Sequence, residues 1–171
     1  MEAKEQVFTK REIVGNLRAL TKTAIELTRL LREDSKLLEP VAHSRRNLKE
    51  LLLHLALIPR EQILMLRGIE RETISQGYAI NSIKDFEKIL SASVDFFVTE
   101  IKSVDLNRQY ITPKKKKMSG LSWGIEALTH LRHIGIKSIC ILCLRKSSLL
   151  EHCLENSLQR ILKCLRKPMQ N

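Results

Sequence analysis

Apolar residues recur along much of this chain at alternating intervals of three and four, the spacing that lines one face of an α-helix. Ile13, Leu17, Leu20, Ala24, Leu27 and Leu31 predict a first helix from about Lys10 to Glu33. Leu48, Leu51, Leu52, Leu55, Ile58, Met65 and Ile69 predict a second from about Arg46 to Ile69, with Ser44 as its N-cap. Pro59 falls inside it, where a missing backbone N–H and a clash with the Leu55 carbonyl predict a kink. A third helix starts at Ser82, whose Asp85 three positions on resembles a capping box, and its stripe runs Ile83, Phe86, Leu90, Val94, Phe97, Ile101 and Val104. A fourth begins near Ser119–Ser122 and continues to about Lys146, apolar on nearly all sides between Ile134 and Leu144, which predicts burial.

Three polar connections join these helices, at 34–45, 70–81 and 105–119, and no stretch alternates long enough to predict a strand. Beyond Ser147, Leu150, Leu154, Ile161 and Leu165 share one face, with Arg160, Lys163, Arg166 and Lys167 elsewhere. The expectation is an all-α fold: a four-helix bundle over 1–146, with an amphipathic helical extension over 147–171 of the same domain. An apolar fourth helix and an amphipathic tail would also suit a homodimer.

Composition narrows the classes. With 43% hydrophobic and 29% charged residues among 171, the chain is globular in character and long enough for one core. Six Gly and four Pro are few for a sandwich or barrel. No apolar run reaches the roughly 20 residues that span a bilayer, so no membrane partner is expected. The opening MEAKEQVFTKREIVG lacks the apolar core of a secretory signal, so a cytoplasmic location is expected. Cys140, Cys143, Cys153 and Cys164 lie in a helical, apolar setting and read as buried thiols, despite the C-x-x-C spacing of the first two.

The net charge of +11 is uneven: residues 111–171 carry 12 basic and 3 acidic side chains, including the run Lys114–Lys117. Such a run can hold phosphates, but it also suits a solvated loop. With only 4% aromatics there is no stacking platform for single strands, and no nucleic-acid motif is present.

Candidate chemistry rests on histidines. His43 and His152 fall in polar settings. His54 stands three residues after Leu51 and four before Ile58, so its imidazole points inward, where it needs a partner. Within one turn the polar choice is Glu50. His130 and His133, one turn apart on the fourth helix, can reach a common point. With one imidazole from a facing helix they would give three nitrogens for a divalent ion, leaving room for a water or another ligand.

The segments NLKELLLHLALIPREQILMLRGI and LSWGIEALTHLRHIGIKSICILCLRK resemble the second and fourth helices of the DinB-like (damage-inducible, YfiT-like) four-helix-bundle proteins, and the likeness covers about residues 10–146. The resemblance implies a divalent cation, zinc or nickel, held by one His of the second helix and two of the fourth. Carried over, His54 matches the first and His133 the last. The middle ligand usually stands four residues before the last, where this chain has Thr129, with His130 displaced by one. The Arg-Gly-Gln that commonly follows the last His is replaced by Ile134-Gly135-Ile136. Some relatives look like thiol transferases, which implies a low-molecular-weight thiol as substrate, or a hydrolase reaction at the same ion. Two alternatives stand beside this: a bundle with a degenerate metal site serving as a binding or assembly module, and nucleic-acid binding through the basic C-terminal third.

Overall fold

Asn47 sets the start of the second long helix. Its side chain accepts from the Glu50 backbone N–H at 2.8 Å, and Glu50 Oε2 accepts from the Asn47 N–H at 3.1 Å. Two of the donors that a helix leaves orphaned at its N-terminus are thereby satisfied. The computed structural model describes residues 9–29, 47–113, 115 and 117–132. Ser44, proposed above as this cap, lies outside them, and the helix begins at Leu48, two residues later than the apolar pattern suggested.

The elements in chain order are α1 (Lys10–Arg29), α2 (Leu48–Leu66), α3 (Arg71–Ser75), α4 (Ile83–Glu100), a 3-10 turn (Ile101–Ser103), β1 (Gln109–Ile111), β2 (Lys117–Ser119) and α5 (Gly120–His130). Most described residues are helical, as expected of an all-α chain, and among the described residues no helix is long and apolar enough to cross a membrane. α4 packs along α2 and α1, and α5 packs against the same two helices. The shared core is Ile13, Leu17, Ala24 and Leu27 of α1, Leu51, Leu52, Leu55 and Ile58 of α2, Phe86, Leu90 and Phe97 of α4, and Ala127 of α5. Two threonines join the inward stripe of α1. Thr21 Oγ1 donates to the Leu17 carbonyl at 2.8 Å and Thr28 Oγ1 to that of Ala24 at 2.7 Å, which removes the cost of burying a hydroxyl.

The third expected helix is α4. Ser82 Oγ accepts from the Asp85 N–H at 3.1 Å while Asp85 Oδ2 accepts from the Ser82 N–H at 2.9 Å, the reciprocal cap that the Ser-x-x-Asp spacing suggested. α2 runs through Pro59 as one helix.

Three features correct the reading from periodicity. Ile69 is not inward: it lies beyond the end of α2 and is 37% exposed. The 70–81 connection contains α3, too short to show a period. The 105–119 connection contains an antiparallel hairpin with Gln109 opposite Ser119, Tyr110 opposite Met118 and Ile111 opposite Lys117. Its strands have three residues each, below the length at which alternation can be recognised. Lys115, at the tip, adopts φ 58. The hairpin delivers the chain to α5, where Ser119 Oγ accepts from the Ser122 N–H and caps the helix.

The space at that junction requires glycine. A Cβ on Gly120 would stand 2.5 Å from the Asp105 carbonyl oxygen, and one on Gly124 would stand 2.8 Å from Ile13 Cδ1. The end of α1 expected at Glu33, the 34–45 connection, the fourth helix from 133 to 146, the 147–171 extension and all four cysteines lie outside the described residues.

Candidate functional site

His54 is the seventh residue of α2, on the face that carries Leu51, Leu55 and Ile58 into the core. Its side chain is 8% exposed. α5 brings His130 to it from the opposite helix: the ring centroids are 5.9 Å apart and the planes 85° from parallel. The two imidazoles that periodicity placed on the second and fourth expected helices therefore meet edge to face across the α2–α5 contact. Thr129, one residue before, is exposed. His133 lies outside the described residues.

Among the described residues two further groups join the cluster, and neither is the Glu50 that local sequence offered. Glu50 is occupied by the α2 cap. Glu61 stands seven residues after His54, two helical turns along the same face, with its side chain 5% exposed and its Oε2 3.9 Å from His54 Nδ1. Arg71, the first residue of α3, donates from Nε to Glu61 Oε2 at 2.9 Å. Its Nη2 lies against both ring nitrogens of His54, 2.9 Å from Nε2. The i, i+7 spacing of Glu61 could have marked it. Arg71 could not be found that way, because only the turn through Gly68 at φ 79 folds it back onto α2.

The electrostatics follow from burial. A carboxylate this far from water is costly unless it is paired, and Arg71, 36% exposed, reaches in from the rim to pair it. His130 is held below the ordinary imidazole value, first by burial and then by the Arg71 charge, with Glu126 pulling the other way. A neutral imidazole presents a lone pair, the form in which histidine binds first-row metals.

The donor chemistry fits an ion such as zinc or nickel: two nitrogens from facing helices, with a carboxylate beside one of them. Among the described residues no group of three or more His, Cys, Asp or Glu is arranged to hold a metal. A positive charge, the guanidinium of Arg71, already lies beside His54. A divalent ion on His54 would have to displace that contact. No protein-family model matches the chain, and no curated protein matches it.

Proposed function

We propose that this chain is a DinB-like four-helix-bundle protein that binds one divalent metal, zinc or nickel, through His54, His130 and His133. The observation that supports it is the meeting of His54 and His130 from separate helices at 5.9 Å, in the one region where α2 also buries a carboxylate. When bound, the ion would lower the pKa of a coordinated thiol or water and supply a nucleophile near neutral pH, the chemistry of thiol transfer or hydrolysis. The chain's own contribution is positional. The α2 face aims His54 inward, α5 aims His130 at it, and Arg71 keeps Glu61 neutralised at the edge of the cluster.

Elemental analysis of tag-free protein purified without chelator tests this, on wild type, His54→Ala and His130→Ala. About one ion per chain in the wild type, lost in both variants, is the expected result. No metal in the wild type after incubation with zinc and with nickel overturns it.

A second reading is favoured by one observation, the contact of Arg71 with both His54 and Glu61. In it the guanidinium stands in place of an ion, and the bundle is a binding or assembly module with a degenerate site. Wild type that stays metal-free after incubation with zinc and with nickel would support that reading over the first, since the Arg71–Glu61 pair stabilises the fold in both.

A further inference from the structure

A second polar site lies on another face of α2, and none of the residues lining it belongs to the histidine cluster. Arg60 is six residues after His54, so it projects well around the helix from it. Its guanidinium carbon sits 4.6 Å from the ring centroid of Phe96 and 5.8 Å from that of Tyr78. Its Nε is buried without a hydrogen-bond acceptor. Ser93 of α4 is 1% exposed, and its Oγ has no hydrogen-bond partner either. Both residues border an open groove of about 320 Å³ that Tyr78, Lys88, Ile89 and Ala92 also line.

Stacking on aromatic faces offsets part of the cost of sequestering a guanidinium, but it satisfies none of its N–H groups. Ser93 adds an O–H donor, and Lys88 adds a cation at the exposed rim. The acid at the groove, Asp85, is already engaged: its Oδ2 accepts from the Asn81 and Ser82 backbone N–H groups, both at 2.9 Å. Its charge nevertheless acts on anything bound there. Two cations and one carboxylate leave the groove a single positive charge. The unmet requirement is thus for an acceptor of one negative charge with planar, paired oxygens, attached to a body that can rest on Tyr78, Ile89 and Ala92.

We propose that this groove binds a small organic monocarboxylate, its carboxylate held by Arg60 and Ser93 and its apolar part laid against the α4 wall. The volume is at the lower end of the range for small-molecule sites and suits a ligand of benzoate size.

Sodium benzoate is the probe, titrated into the full chain and followed by amide chemical shifts, with inorganic phosphate at matched ionic strength as the comparison. The expected result is saturable binding with a Kd of about 1 mM, with the largest shifts around Arg60, Lys88 and Ser93. Arg60→Gln should weaken it about tenfold by removing the charged fork. Lys88→Glu, on the exposed rim, inverts one charge without touching the core. It should weaken binding by a similar factor, and it keeps the test decisive if Arg60→Gln does not fold. Non-saturable shifts, binding unaltered in Lys88→Glu, or phosphate bound more tightly than benzoate would each overturn the proposal.

Discussion

Arg71 Nε lies 2.9 Å from Glu61 Oε2, so the carboxylate buried beside His54 has its counter-charge on a five-residue helix and not on the helix that buries it. Removing that guanidinium takes a counter-charge away from a carboxylate that is only 5% exposed. Arg71→Met is expected to lower stability by about 2 kcal/mol in the presence of chelator, less than for a fully buried pair because Arg71 reaches water. Zinc should restore part of the loss and bind the variant more tightly than the wild type, since an ion held only by the native state stabilises it. Chemical denaturation with and without zinc measures both, and equal zinc responses in the two proteins would sink the idea that cation and metal compete.

Glycine has opposite values at two positions. Gly120→Ala forces a methyl to 2.5 Å from the Asp105 carbonyl and should cost about 1–3 kcal/mol, because backbone atoms cannot swing away. Gly15, exposed in the middle of α1, has nothing within 4 Å of its would-be Cβ. Gly15→Ala should therefore gain about 0.5–1 kcal/mol from helix propensity. Thermal melts of the two variants should move in opposite directions.

Arg29 and Glu87 form a two-point pair between α1 and α4, Nε to Oε1 at 2.8 Å and Nη2 to Oε2 at 2.7 Å. That guanidinium, through its hydrogen bonds first and then its charge, holds the Glu87 carboxyl below its ordinary value, so the folded state binds its proton less readily than the unfolded one. The pair's stabilisation is therefore present above the unfolded carboxyl value and is lost as pH falls through the lower folded one. Glu87→Gln should cost about 0.5 kcal/mol at neutral pH, given the exposure of Arg29. Melting curves of variant and wild type should converge as pH falls through the lowered folded value, where Glu87 is protonated and, like the glutamine, carries no charge. A gap that stays constant through that fall would show the ion pair to be irrelevant.

Gln62 is buried in α2 with its Oε1 lacking a hydrogen-bond partner. Gln62→Leu keeps nearly the same volume and removes an unsatisfied acceptor. It should raise the unfolding free energy by about 1 kcal/mol, read from denaturant midpoints at unchanged slope. A loss of similar size would mean that the amide nitrogen carries more than the oxygen forfeits.

Period-three-and-four spacing was enough to place Ile13, Leu17, Ala24 and Leu27 on one inward stripe and Phe86, Leu90, Val94 and Phe97 on another, because burial of a helix face leaves that signature directly. It also turned His54 inward. It could not supply the partners of His54. Glu61 sits on the same stripe, but its charge disguises it as an outward residue until Arg71 is known to be beside it. Arg71 arrives through a turn whose geometry depends on Gly68, and no helical period extends across that turn. The β1–β2 hairpin was hidden for a related reason: three-residue strands separated by a lysine run look like a solvated loop. Thr21 and Thr28, polar by type, were invisible as core positions because they satisfy their hydroxyls on their own helix.

The segment from Gly68 to Gly77 bears on how anything reaches His54. Both glycines sit in the left-handed region, at φ 79 and 86, and between them Ile74 is the one buried residue. Lifting this segment breaks an isoleucine contact and the Arg71 interactions, while the α1, α2 and α4 stripes stay packed. Its free energy of opening is thus a small fraction of that of global unfolding, and its amides should exchange with deuterium well ahead of those of α2 and α4. Such an opening would lift the Arg71 guanidinium off an imidazole that is only 8% exposed.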